Sequence, residues 1–324
     1  MYGTVSLFSV LRLVVLTFFL VQVSPHSLYG QEGRKIRLGF PAVSFSSLVH
    51  LVAKEAGIFR KHGLNVELIQ ISGPVLVTAL IVGEVDYSAA INPGILLAAK
   101  GLPLTVVMAT TKAPLFYVIS QAEVKDLRGL VGKKLAVSRI GSLSHLLTRL
   151  MIQKGGIDPD QVTYIQTGST SNSLAALGGR AVDAAALSMP FNVVMTKKGF
   201  NQLVSTQGIG IYPNTGLQAS KEKMENNREE VKVVIEALLD TMGYIGKEKG
   251  MVIDYIKRTW KLSADVAEQT YKEFIPFLPR DGKISLEAVQ EYLNGAFKDN
   301  QLPRHVDVKT VVDLSALEQV LKRK

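Results

Sequence analysis

Cysteine is absent from the 324 residues. That excludes disulfides, thiolate metal sites, cysteine nucleophiles and a lipid anchor on an N-terminal cysteine. Charged residues make up only 20% of the chain, below the usual share of about a quarter. The formal charge is +9, but lysine and arginine are scattered. There is no dense basic stripe with interleaved aromatics, so no nucleic-acid partner is expected. Gly-x-Ser-x-Gly, Walker and Gly-x-Gly-x-x-Gly patterns are also missing, which removes the commonest hydrolase and nucleotide signatures. The five histidines, His26, His50, His62, His145 and His305, include no pair four apart and none beside carboxylates at ligand spacing. No metal and no cofactor are expected. His50 and His145 follow Ser-rich loops and read as partly exposed helix residues. Asp86 and Asp183 sit in matched Gly-x-Val-Asp contexts that suit a turn into a strand better than acid–base chemistry. No catalytic residue is expected, and the chain reads as a non-enzyme.

At the N-terminus, Met1–Val23 carries a single charge, Arg12, and Leu13–Val23 is apolar apart from Thr17 and Gln22. A polar, turn-forming stretch follows. This is the shape of a secretory signal peptide over residues 1–30, and the apolar run is short for a spanning helix, which needs about 20 residues. No Ala-x-Ala site is present, so an uncleaved anchor is the alternative. Either way the folded part is expected to start near Arg34, outside the cytoplasm.

From Lys35 the text alternates between strand and helix. Lys35–Phe40 reads as a strand and Leu48–Phe59 as an amphipathic helix, with apolar residues at three- and four-residue spacing. His62-Gly63 stops that helix, and Leu64–Gln70 is a second strand. Helix Val75–Val82, strand Val85–Ile91, helix Ile95–Lys100 and strand Leu104–Ala109 follow. After Thr110–Pro114 a similar series restarts: strands at Leu115–Ser120, Leu135–Ser138, Val162–Gln166, Val182–Leu187 and Leu203–Ser205, with helices at Ser144–Lys154, Ser173–Leu177 and Pro190–Lys198. Gly216–Ala219 returns the chain as a strand. From Lys221 onward every segment has helical period. Such alternation predicts an α/β protein with mainly parallel sheets flanked by helices, and extra C-terminal helices packed on them. Ala79–Asp86 aligns without gaps on Ala176–Asp183, which points to two similar lobes.

Ligands of open α/β sheets sit at the carboxyl ends of the strands, where helix N-termini point free N–H groups at a polar or anionic head. In this chain those loops are rich in Ser, Thr, Gly and Asn. The first half offers Ser44, Phe45, Ser46, Ser72, Gly73, Asn92, Thr110 and Thr111. The second offers Ser138, Gly141, Ser142, Gly168, Ser169, Ser188 and Phe191. Any one of these loops is explained by capping alone; their recurrence in both halves is what singles them out. Phe45 and Phe191 read equally as ligand cover or as ordinary core.

The run GFP…LVAKEAGIFRKHGLNVEL over Gly39–Leu68, followed by ALIVGEVDY over Ala79–Tyr87, resembles the periplasmic substrate-binding proteins of ABC importers. The subgroup is that of the aliphatic-sulfonate-, taurine- and nitrate-binding proteins and the thiamine-pyrimidine-precursor proteins. Segments Lys125–Val137, Leu147–Val162 and Ala181–Phe191 continue the match, which covers Arg34 to Phe297. The resemblance implies a type II periplasmic-binding-protein fold: lobe one from 31–112 plus 213–324, lobe two from 113–212, with crossing strands near Thr110–Pro114 and Tyr212–Gly216. It implies a monomer that hands a small polar or anionic organic solute to an ABC permease in the cytoplasmic membrane, by hinged closure. An enzyme of the pyrimidine-precursor-synthase type and a membrane-anchored sensor subunit are the alternatives; the former family's cysteine-rich metal motif is missing here. The motifs name no ligand.

Overall fold

Strand β1 (Lys35–Phe40) places Ile36 and Leu38 in the interior and leaves Lys35 exposed, which makes it the first element of a sheet rather than a surface ribbon. The computed structural model describes residues 35–71, 73–209, 213–298 and 300–323; the signal-peptide segment, Ser72 and the Tyr212 end of the second crossing lie outside them. β1 pairs in parallel with β2 (Asn65–Gln70) and β3 (Tyr87–Ser88). With β4 (Leu104–Ala109) and β10 (Gly216–Ser220) they form a five-stranded sheet in the order β2-β1-β3-β10-β4. β5 (Phe116–Ser120), β6 (Lys134–Val137), β7 (Thr163–Gln166), β8 (Ala184–Ser188) and β9 (Asn201–Ser205) form a second sheet in the order β7-β6-β8-β5-β9. Each sheet contains one strand that runs against both of its neighbours, β10 in the first and β5 in the second. These strands carry the chain in from the other sheet, and they make a mainly parallel architecture mixed.

The likeness of the two halves extends to single hydrogen bonds. The Asp86 carboxylate accepts the Arg37 N–H at 2.8 Å and the Asp183 carboxylate accepts the Lys134 N–H at 2.9 Å. The backbone N–H of each Asp returns a bond to the same residue's carbonyl. In both halves the Val-Asp turn therefore fastens the lead-in to β3 or β8 to the first strand of the parallel set, β1 or β6. Asp86 also accepts from Lys223 Nζ at 3.0 Å, and that buried ammonium reaches Glu230 at 2.9 Å. A buried cation held between two carboxylates satisfies the requirement that an interior charge be paired.

Two elements differ most from their sequence-based expectation. The helix expected over Leu48–Phe59 is broken into α1 (Leu48–Glu55) and a short α2 (Ile58–Lys61), because Gly57 adopts φ 66, a left-handed conformation natural to glycine. The strand expected over Val85–Ile91 shortens to β3, and α4 (Ile91–Ala99) begins four residues earlier than its predicted start at Ile95. Pro93 lies in the first turn of α4, where its missing N–H costs nothing.

The other helices are α3 (Gly73–Ile81), α5 (Leu143–Lys154), α6 (Thr170–Gly178), α7 (Phe191–Thr196), α8 (Lys221–Asn226), α9 (Arg228–Lys247), α10 (Lys249–Trp260), α11 (Ala264–Phe274), α12 (Leu286–Lys298) and α13 (Ser315–Leu321). One face of the first sheet packs on α1, α9, α11 and α13, and the other on α3, α4 and α12. All six residues of β4 are buried although it is an edge strand. The C-terminal segment covers that edge: Val106 N–H donates to the Val311 carbonyl at 3.0 Å, and Asp313 N–H donates to the Val106 carbonyl at 2.9 Å. Such a cover keeps an edge strand from pairing with other chains. Helix α11 also reaches the second sheet's α7, through Asn192 Nδ2 to Glu273 at 2.8 Å and Lys197 to Asp265 at 2.6 Å. The C-terminal helices thus touch both halves.

At Gly216, where β10 begins, a Cβ would lie 2.1 Å from the Met108 carbonyl oxygen and 3.0 Å from Ala109 Cα. Gly216→Ala is expected to lower unfolding stability by about 2 kcal/mol, read as a fall in the urea midpoint. Gly246→Ala, at an open position in α9, should instead raise it by about 0.5 kcal/mol.

Candidate functional site

The carboxyl ends of β1, β3 and β4 converge on the segment that leads into β10. β1 runs into a loop and a 3-10 turn at Phe45–Ser47 before α1 starts. The Ser46 carbonyl accepts a hydrogen bond from Thr215 Oγ1 at 2.7 Å, and Ser46 Oγ accepts one from Asn214 Nδ2 at 3.1 Å. A threonine hydroxyl has one proton, and that of Thr215 is committed to Ser46. The 2.8 Å contact between Thr111 Oγ1 and Thr215 Oγ1 is therefore donated by Thr111. The backbone N–H groups of Thr110 and Thr111 both reach the Thr215 carbonyl. Asn92, in the first turn of α4, donates to the Pro213 carbonyl at 3.1 Å and accepts from the Tyr292 hydroxyl at 3.1 Å. Ser46, Asn92, Thr110 and Thr111 thus form one polar cluster. Ser44 is half-buried in the same loop, and Gly73 opens α3.

Below this cluster His50 is fully buried, with Nε2 3.0 Å from the Gly216 carbonyl. A carbonyl only accepts, so Nε2 carries the proton and Nδ1 is a bare lone pair. Burial lowers the His50 pKa to about 4, against the opposing pull of that hydrogen bond. The reading of His50 as a partly exposed helix residue is therefore corrected: residues 48–53 are buried on every side of α1. Further along β10, the Gln218 amide lies against Gly94, where a Cβ would come within 1.9 Å of Gln218 Oε1. Glycine at 94 lets α4 approach β10 this closely.

In the second sheet the loop after β6 gathers three hydroxyls. Ser138 Oγ lies 2.7 Å from Ser144 Oγ and 3.1 Å from Ser142 Oγ, which are 2.9 Å from each other. Gly141, at φ 79, makes the turn, and its N–H donates to His145 Nδ1 at 3.1 Å. Burial and the nearby Arg149 lower the His145 pKa. Gly168, at φ 88, donates its N–H to the Ser138 carbonyl at 2.8 Å. Ser169 Oγ caps α6 by accepting the Asn172 N–H at 3.1 Å, so here the capping explanation accounts for the hydroxyl. Ser188 ends β8 half-buried, and Phe191 opens α7, packed against the core. Phe45 is 1% exposed and lies 4.4 Å from the Trp260 ring and 5.9 Å from Phe274. Its place is in the core.

A cavity of about 570 Å³ takes Asn92 from the first half and Gly141 from the second into one wall system. A smaller one of about 260 Å³ lies against the crossing, between Thr111, Lys112, Pro213 and Arg280. Asn214 and Thr215, which tie the cluster together, were not singled out from sequence. They lie in a connecting stretch with no periodicity, and only their position at the return crossing could have flagged them. Among the described residues no group of three or more His, Asp or Glu side chains is placed to hold a metal ion, and no helix is long and apolar enough to cross a membrane.

Two mixed sheets flanked by helices, joined by two crossings with polar loops gathered at their strand ends, define the periplasmic-binding-protein architecture. Residues 44–248 match the model of the family described as NMT1/THI5 like, and the chain belongs to that family. The alkanesulfonate-binding protein SsuA from Xanthomonas axonopodis pv. citri, solved bound to MOPS, superposes with a TM-score of 0.69 at 21% identity, over 86% of this chain and 98% of that one. A putative aliphatic sulfonates-binding protein of Bacillus subtilis is 27% identical over 96% of both chains. A putative binding protein of Brucella abortus is 30% identical over 156 residues; that match spans about half the length of each, 48% of both.

Buried, neutral His50 makes the fold sensitive to acid. The folded pKa lies near 4 and the unfolded one near 6.5, so the unfolded chain takes up the proton first. Stability from this group is full above pH 6.5 and falls as the pH drops toward 4, by up to about 3 kcal/mol. Urea unfolding across that range should show this acid limb in the wild type and a shallower one in His50→Asn. An equal slope in both would show that other groups set the limb.

Proposed function

We propose that this protein is an extracytoplasmic solute-binding protein that delivers a small polar or anionic organic solute to an ABC permease. The observation that carries this reading is the opposition of two polar loop sets, each at the carboxyl ends of its own sheet, with one cavity lined from both. Ser46, Asn92, Thr111 and Asn214 in one loop set, and Ser138 and Ser142 in the other, offer hydroxyl and amide groups, and the shared cavity also carries Lys154 and Glu291 in its walls. Hydroxyl and amide donors suit an anion or a neutral polar head, and the net charge of +9 favours anions at long range. The names of the Bacillus and Xanthomonas relatives support sulfonates as the first class to test.

In this reading each sheet with its helices is a lobe, 31–112 plus 213–324 and 113–212, and the crossings near Thr110–Pro114 and Pro213–Gly216 are the hinge. A solute touching both loop sets favours the closed arrangement by contacts that exist only there. A monomer exported by its N-terminal segment and read by the permease when closed completes the assignment; catalysis is not part of it.

The test is a stability screen of the exported protein against sulfonates, nitrate, pyrimidines and aromatic acids. A true solute at a hundred times its Kd should add about 2.7 kcal/mol to unfolding. No stabilisation by any of them, together with chemical turnover of one, would overturn the reading.

A further inference from the structure

Helix α11 is rooted in the first half but bonded to the second. The Tyr271 hydroxyl donates to the Ile245 carbonyl of α9 at 2.9 Å, and the Phe274 ring lies 5.9 Å from that of Phe45. On its other side Glu273 accepts from Asn192 Nδ2 at 2.8 Å and Asp265 accepts from Lys197 Nζ at 2.6 Å. Burial, and after it the Glu273 charge, push the Tyr117 hydroxyl pKa up, so this carboxylate is felt as far as strand β5.

The boundary between the halves differs on its two sides. Ile119, Ala185 and Leu187 of the second sheet fall in one apolar cluster with Phe274 and the first half's α1 and α9. Val118, Val137 and Ala186, from the opposite face of that sheet, pack instead with Leu147 and Met151 of α5. On this second side the cavity of about 570 Å³ lies between α5 and α12, with Lys154, Glu291 and Gln301 among its lining. The outgoing crossing passes between the two sides. Lys112 N–H donates to the Phe277 carbonyl at 2.8 Å, just past α11, and Ala109 N–H donates to the Gly282 carbonyl at 2.7 Å, just before α12. The halves are therefore packed together on one side of the crossing and parted on the other. Rotation about it brings α5 toward α12 only by drawing α7 away from α11.

We propose that the α7–α11 contact is a brace that holds the halves apart at the cavity when no solute is bound. Asn192, Lys197, Asp265 and Glu273 then set solute affinity without touching the solute. The brace itself stands on this geometry; its effect on affinity rests on the solute-binding reading above. Two features suit a contact that makes and breaks. Asn192 is fully buried, yet its Oδ1 has no hydrogen-bond partner, an unmet acceptor that separation exposes to water. Its Nδ2 keeps a second acceptor within its own half, Gln202 Oε1 at 3.3 Å, so the withdrawal of Glu273 does not strand it. When the closed arrangement is a minor one, apparent affinity falls by its fraction, and weakening the brace tightens binding.

Distances between spin labels on Lys100→Cys and Lys133→Cys, measured in the solute-free chain, test the brace. Glu273→Ala/Asp265→Lys removes one bond and sets like charges against each other at Lys197. It should raise the closed arrangement about tenfold, seen as a second distance population. Asp265→Lys alone, at an exposed position, should move the distribution the same way by less. Glu268→Ala breaks the ion pairs of α11 with Lys249 and Lys272, inside the first half, and should keep the wild-type distribution. Wild-type distances in both folded Asp265→Lys variants overturn the brace, as does an equal shift in Glu268→Ala. No solute is used, so that failure leaves solute binding standing. The expected shift in a chain that binds none of the screened solutes would support the brace and remove its role in affinity.

Discussion

The hydroxyl of Thr215 is the point on which the rest depends. Its single proton goes to the Ser46 carbonyl, its oxygen accepts from Thr111, and its own carbonyl takes the N–H groups of Thr110 and Thr111. The outgoing crossing, the returning crossing and the loop after β1 are thereby held in one hydrogen-bonded knot. A net hydrogen bond contributes only about 1 kcal/mol, but leaving a buried partner unsatisfied costs more, so the three segments stand or fall together. At the other end of the crossings Thr206 Oγ1 donates to the Pro114 carbonyl and keeps the second pair of strands adjacent. Between these two ties the outgoing backbone runs from sheet to sheet through Lys112 and Ala113. That geometry suits rotation of one half against the other while each loop set stays rigid. Helix α11, bonded to α7 through Glu273 and Asp265, adds a contact across the same boundary.

The two halves repeat a physical solution rather than a sequence. Asp86 and Asp183 each take a backbone N–H of β1 or β6, from Arg37 and Lys134. In the first half the carboxylate is also buried against Lys223 and the Glu230 network; in the second it lies nearer solvent, 3.9 Å from Lys133. The same turn thus serves in two dielectric settings. Only the buried one needs its own counter-charge.

Much of the fold was legible because apolar periodicity and Gly or Pro punctuation survive in single sequences. The βαβ unit at Lys35–Gln70, the Val-Asp echo and the helical C-terminal third follow from those signals alone. What escaped was decided by tertiary contacts. On the buried side of α5, Ser144 and Thr148 stand beside Leu147, Met151 and Ile152, and Ser144 is held there by its bonds to the Ser138 loop. His50 reads as a helix surface residue, yet it is enclosed because α1 lies between β1 and α9. Phe45, a candidate ligand cover, finds Trp260 from more than two hundred positions away. Of the polar site, the hydroxyl-rich loops could be named from composition. The residues that bind them together, Asn214 and Thr215, lie where sequence has no period to read.

In the proposed clamp, the two loop sets close on a solute by rotation about the knotted crossings. Because the chain has no native cysteine, spin labels can be placed cleanly at Lys100→Cys, on the first half, and Lys133→Cys, on the second, both exposed. Pulsed electron–electron resonance should show the label distance shift to a new, narrower distribution when a stabilising solute saturates the protein. An unchanged distribution at saturation would contradict the clamp.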